Sequence, residues 1–174
     1  MLKWKGVYKK ETREYWGESM SEIKWHNEKD TEKTAQKLAD LVQAGDVICL
    51  EGDLGAGKTT FTGYFAHALG INKAIKSPTF TIMREYQMGR LPLYHMDAYR
   101  LEETGAEGLG IEEYLEGDGV TVIEWPQFIK EDLETPYLWL TIHKESATER
   151  RISLAYNGGR GQELAAELLE SLAE

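Results

Sequence analysis

The stretch that most restricts how this chain can fold is GDLGAGKTT, from Gly52 to Thr60. Gly52, four further residues, then Gly57, Lys58 and Thr59 fill the pattern G-x-x-x-x-G-K-[ST]. At ordinary residue frequencies, a chain of this length carries that pattern by chance in well under about 1% of cases. Holding phosphates this way takes a strand to deliver the chain and a loop whose glycines let backbone N–H groups converge. It also takes a helix whose N-terminus faces the anion. The flanks supply both elements. DVICL before the loop is a short apolar, β-branched run suited to a central strand, and TTFTGYFAHALG after it sets Phe61, Tyr64, Phe65 and Leu69 on one helical face. The stretch therefore reads as a nucleotide cradle rather than a flexible turn. Lys58 would reach the outer phosphates, and the Thr59 hydroxyl would ligate a Mg²⁺ bridging two of them.

The rest of the chain alternates short elements around this unit. SEIKWHN alternates like a strand, and DTEKTAQKLADLVQAG places Ala35, Leu38, Ala39 and Val42 at helical spacing before a stop at Gly45. FTIMREYQ and LPLYHMD flank Met88-Gly89-Arg90 as a hairpin, GVTVIEW is a further strand ending in an acid, and YLWLTIH with RRISLAY reads as a second hairpin. The tail GQELAAELLESLAE aligns Leu164, Leu168 and Leu172 on one stripe and should pack on its own domain. Helix–strand alternation predicts an α/β fold, and the two hairpins predict a mixed rather than purely parallel sheet. Residues 21–174 read as one domain. Residues 1–20 fit the pattern poorly and read either as an appended extension ahead of Met20 or as an ordered arm packing Trp4, Tyr8, Tyr15 and Trp16.

Composition excludes several classes of function. The 174 residues, 41% hydrophobic and 29% charged, suit a soluble globular domain with no apolar run near the roughly 20 residues of a membrane span. The N-terminus lacks the apolar run of a secretory signal, which predicts a cytoplasmic location. Cys49 is the only cysteine and should be a buried structural thiol. A net charge of −10 with no evident basic cluster argues against direct grip on nucleic acid, so any role in a nucleic-acid pathway would run through other proteins.

Hydrolysis needs more than a cradle: a carboxylate at a neighbouring strand end for the metal's shell, and a group to orient the attacking water. Asp97, ending LPLYHMD, and Glu124, ending GVTVIE, are the candidates, one near the metal and one near the water. His95 reads as a packed strand histidine, and the hydroxyls of SPTFT, Ser77 to Thr81, could sense a terminal phosphate.

GDLGAGKTT, SPTFTI, YHMDAYRLE and VIEWPQ, in this order and at these spacings from about Ser21 to Tyr156, closely resemble the bacterial TsaE (YjeE) family. Its members are the ATPases required for the threonylcarbamoyl-adenosine (t6A) modification of tRNA. The resemblance implies a P-loop NTPase fold with a mixed sheet, ATP and Mg²⁺ as ligands, and a complex with TsaB and with TsaD, which transfers the threonylcarbamoyl group. Hydrolysis would reset that complex between rounds, and tRNA would be met only through it. Gly52, Asp53 and the run Gly55, Ala56, Gly57, Lys58, Thr59 and Thr60 would wrap the phosphates. The resemblance also puts Thr59 and Glu124 on the metal, Asp97 and Lys58 in hydrolysis, Thr79 in a mobile switch-like loop, and Trp125 beside the nucleotide. It places the base near Glu28 to Thr31 and Thr148 to Arg150.

Three rivals share the cradle. A small-molecule kinase would close an arginine-rich lid, whereas this chain has only scattered arginines such as Arg84, Arg90 and Arg100. A GTPase would carry Asn-Lys-x-Asp downstream, and NEKD at Asn27 to Asp30 is in the wrong order and upstream. A nucleotide-gated binding module would need ATP binding without functional hydrolysis.

Overall fold

The structure, a computed structural model, describes residues 21–78 and 81–174. The expectations for residues 1–20 and for Thr79 lie outside the described residues. The chain runs β1 (Ser21–Trp25), α1 (Glu28–Leu41), β2 (Val47–Glu51), α2 (Lys58–Ala68), β3 (Met83–Tyr86), β4 (Leu93–Asp97), α3 (Ile111–Leu115), β5 (Val120–Glu124), β6 (Tyr137–Lys144), β7 (Arg150–Asn157) and α4 (Gly158–Leu172). One seven-stranded sheet results, in the order β1-β7-β6-β2-β5-β4-β3. Its four inner strands β6, β2, β5 and β4 are parallel, and both edges are antiparallel through β7 with β1 and through β3. The sheet is mixed as the hairpins predict, with DVICL at its centre.

Strand alternation divides the core into two layers. Ile48 and Leu50 of β2, with Val122 of β5 and Leu140 of β6, face Leu38 of α1, Phe61 and Phe65 of α2, and Leu168 of α4. Trp25 ties this layer together: its ring stacks on Phe61 at 5.8 Å, and its Nε1 donates to Thr34 Oγ1 at 2.9 Å. Phe61→Ala would remove a fully buried ring from this stack, a change that costs about 3–5 kcal/mol. The alternate residues, Val47, Cys49, Ile123 and Trp139, face the segment between β4 and β6, where α3 contributes Ile111 and Leu115. Cys49 is fully buried there, and burial pushes its thiol well above the ordinary range.

The tail helix packs on its own domain, with Leu164 and Leu168 buried. α1 ends at Leu41, before Gly45, and carries no basic residue in its last turn. Two distant arginines serve its C-terminal carbonyls instead. Arg90, in the β3–β4 turn, donates to Ala39 O and Val42 O at 2.6 and 3.1 Å. Arg160, in the first turn of α4, donates to Leu41 O at 3.1 Å and grips both oxygens of buried Asp46 at 2.9 and 2.8 Å. Among the described residues no helix is long and apolar enough to cross a membrane.

Candidate functional site

The loop between β2 and α2 bends as its glycines allow. Gly55 and Gly57 hold φ of +78° and +112°, conformations in which an L side chain is strained. Gly57 is also the residue before α2, and no side chain caps that helix. Its first turn contains no acidic residue, so its N–H groups are open to an anion.

A cavity of about 420 Å³ opens over this helix start, lined by Lys58, Thr59, Ser77, Asp97, Glu124 and Trp125 together with Leu54, Gly55, Gly57, Thr60 and Tyr99. The two carboxylates arrive there by register: Asp97 and Glu124 are direct partners at the ends of parallel β4 and β5. Both are nearly inaccessible, at 5% and 2% exposure. Asp97 is fixed from two sides, accepting from Ser77 Oγ at 2.8 Å and from the Tyr99 backbone N–H at 2.9 Å. Glu124 accepts from Thr59 Oγ1, 3.2 Å from Oε1 and 3.4 Å from Oε2. A hydroxyl and a carboxylate side by side on a cavity wall are hard oxygen donors, the type Mg²⁺ takes. Among the described residues no group of three or more His, Cys, Asp or Glu could hold a metal ion, and Mg²⁺ commonly uses one or two side chains with phosphates and water.

Lys58 folds back over the loop. Its ammonium donates to the carbonyls of Gly52 and, at 3.1 Å, of Asp53, and lies 4.4 Å from the centre of the Trp125 ring. Burial lowers its pKa, partly offset by the negative charges of Glu124, Asp97 and Asp53. Trp125 takes a left-handed backbone, φ +57°, which turns its ring onto Phe128 at 5.7 Å and edge-on to Tyr99 at 5.0 Å.

On the other side of the loop lies a pocket of about 230 Å³, lined by Trp25, Glu28, Thr31, Ala147, Thr148 and Arg150 with Gly55, Ala56, Gly57 and Thr60. Residues from the start of α1 and from the β6–β7 turn thus meet beside the loop. Arg150 fastens the end of that turn to the loop, donating from Nε to Ala56 O at 2.8 Å. Glu28 Oε1 accepts from Tyr64 OH at 2.7 Å, and that bond pushes the phenol up to about 12.

Sequence reasoning missed two features. His95 is indeed packed, at 0% exposure, yet its Nε2 lies 2.5 Å from Glu124 Oε2. Positions 93, 95 and 97 share one strand face, and that parity with Asp97 was the available signal. The fold also gathers Lys73, Lys76 and Arg84 around one depression with Glu85, a modest basic patch that their spacing along the chain conceals.

Comparison with known proteins bears on the family and the fold. A tRNA threonylcarbamoyladenosine biosynthesis protein TsaE from Bacillus subtilis is 46% identical over 151 residues, covering 86% of this chain and 95% of that protein. A TsaE of Treponema pallidum is 38% identical over 127 residues, 72% of this chain and 93% of that one. A crystal structure of Bacillus subtilis YdiB superposes with a TM-score of 0.73 at 41% identity, covering 87% of this chain and 96% of its own. The architecture is the mixed-sheet P-loop NTPase fold. Residues 25–152, which span both carboxylate-bearing strands, the loop and the β6–β7 turn, match the family described as "Threonylcarbamoyl adenosine biosynthesis protein TsaE", and the chain belongs to that family.

Proposed function

We propose that the chain binds ATP with Mg²⁺ and hydrolyses it in support of t6A synthesis on tRNA, acting on a complex of TsaD and TsaB and resetting it between rounds. The observation that carries this reading is the convergence of an uncapped helix start, a threonine hydroxyl and two register-paired carboxylates on one cavity. The phosphates lie on the N–H groups of Gly55 to Thr60, and Lys58 leaves the carbonyls of Gly52 and Asp53 to meet the outer oxygens. Thr59 and Glu124 hold the Mg²⁺, which when bound neutralises charge developing on the phosphates. Asp97, held by Ser77 and the Tyr99 N–H, orients the attacking water. Thr79 senses the terminal phosphate.

The smaller pocket takes the base. Glu28 presents an acceptor there, which suits the amino group of adenine and repels the carbonyl of guanine. Trp125 borders the larger cavity and reports on its occupation. Among the described lining residues of the larger cavity, Lys58 is the one cation. Phosphoryl transfer commonly needs a further cation or ordered surface, supplied in trans when the chain lacks it. TsaD and TsaB fill that role, so the chain alone turns over slowly.

ATP turnover measured alone and with TsaB and TsaD from the same source tests the proposal. A rise on adding both partners supports it, and absence of turnover in every combination overturns the ATPase assignment. In a modification assay run through several rounds, Asp97→Ala should stall after the first. Normal multiple turnover by a variant that no longer hydrolyses ATP would leave a nucleotide-gated binding module.

A further inference from the structure

His95 occupies a costly position for a residue with no task. Its ring is wholly inaccessible, between the sheet and the helix layer, and a buried polar group is unfavourable unless it is bonded. Its bond is to Glu124: Nε2 and Oε2 are 2.5 Å apart, and because a carboxylate only accepts, the ring nitrogen donates. Among the described residues Nδ1 meets no hydrogen-bond partner, so the attachment of this side chain runs through Nε2. A leucine would fill the same space without that cost, so packing alone does not account for an imidazole here.

Register sets the geometry. His95 pairs with Val122 and Asp97 with Glu124 on adjacent parallel strands, so the imidazole approaches Glu124 from the next strand, two residue pairs back from the cavity. Thr59 Oγ1 approaches Oε1 at 3.2 Å. Glu124 is thus held between a donor behind and a hydroxyl at the cavity. Its terminal torsion is intrinsically broad and would otherwise leave the direction of the two oxygens undetermined.

We propose that His95 is a positioning residue for Glu124: it pins Oε2 so that Oε1 stays aimed at the cavity when the Thr59 hydroxyl turns to the metal. This rests on the reading above that Thr59 and Glu124 serve Mg²⁺. Partners behind a ligating carboxylate fix its orientation, and losing one typically weakens metal binding or activity by about 10–100-fold.

The test measures affinity rather than catalysis. Binding of a non-hydrolysable ATP analogue to the full chain is measured by calorimetry in EDTA and in saturating Mg²⁺, and the ratio of the two affinities is the metal–nucleotide coupling on the protein. His95→Asn, whose amide nitrogen reaches only the place of Nδ1, should lower that ratio by about 10-fold and leave the affinity in EDTA unchanged. His95→Gln, whose amide nitrogen reaches the place of Nε2, should keep the parent ratio, and a merely space-filling role would not produce that difference between the two amides. Glu124→Gln is run alongside. A lowered ratio in Glu124→Gln with a parent-like ratio in His95→Asn overturns the proposal while the metal reading stands. A parent ratio of one overturns the metal reading and the proposal with it. If His95→Asn does not fold, as judged by circular dichroism, His95→Leu, which fills the space without a donor, takes its place: a lowered ratio upholds the proposal, and a parent-like ratio overturns it.

Discussion

Two helices begin side by side at the same end of the sheet, and they treat their free N–H groups in opposite ways. The start of α1 is satisfied from within: Asn27 Oδ1 accepts from the N–H groups of Lys29 and Asp30 at 3.0 and 3.3 Å, and Glu28 and Asp30 add negative charge to the first turn. The start of α2 has a left-handed glycine in place of a cap, no acid in its first turn, and Lys58 and Thr59 instead. One positive helix end is quenched by the chain's own carboxylate and amide groups; the other waits for an anion from outside. Because Glu28 and Thr31 of the first share a pocket with Gly57 and Thr60 of the second, the two sides of the loop differ in charge, and an anion would favour the side of α2. A nucleotide placed on α2 is thereby oriented.

The largest expected effect falls on the open start. Lys58→Ala should lower ATP affinity by about 100-fold or more in calorimetry, since it removes the charge-assisted bonds to the phosphates. Unchanged affinity in a folded variant would break the comparison. The same lysine predicts a pH dependence: phosphate binding needs the ammonium, and burial lowers its pKa, so affinity should fall as pH rises through that lowered value, earlier than for an exposed lysine. Next come Asp97→Ala and Glu124→Ala, expected to slow single-turnover hydrolysis by about 100-fold while changing ATP affinity far less. Parent-like hydrolysis in either would reduce that carboxylate to a buried strand-end acid.

Arg150→Ala should weaken ATP binding by about 1 kcal/mol, roughly fivefold, because it frees the loop from the β6–β7 turn. The single-turnover rate at saturating ATP should hold, which would separate the pocket that binds from the cavity that reacts. The smallest effect sharpens the contrast most. Asn27→Ala should cost about 1 kcal/mol of stability in denaturant unfolding and leave ATP affinity unaltered, since that helix end holds no phosphate. A loss of affinity there would mean that both helix starts hold phosphate.

Much of this was legible along the chain because each part is local. The loop motif names its own strand and helix, and the acids stand at the ends of apolar runs. The segment between Leu101 and Gly119 was not legible. α3 is only five residues long and depends on Ile111 and Leu115 reaching the sheet, so no periodicity announces it. Long-range bonds were equally hidden. Ser77 to Asp97 spans twenty positions, and Arg150 to Ala56 spans ninety-four. Nothing in the pattern around either partner specifies the other, and only the strand order brings them together.

The arginines at the far end of α1 have a dynamic consequence. Arg90 and Arg160, from segments seventy positions apart, close on the last carbonyls of a helix whose first turn lines the smaller pocket. Fourteen residues of helix, about 21 Å, separate the two ends. Guanidinium bonds to backbone oxygens and to buried Asp46 make the far end resistant to opening, whereas the mouth is joined by exposed side chains. Amide exchange should therefore be slower around Leu38 to Val42 than around Glu28 and Thr148, so that the pocket end of α1 opens while its far end stays fixed.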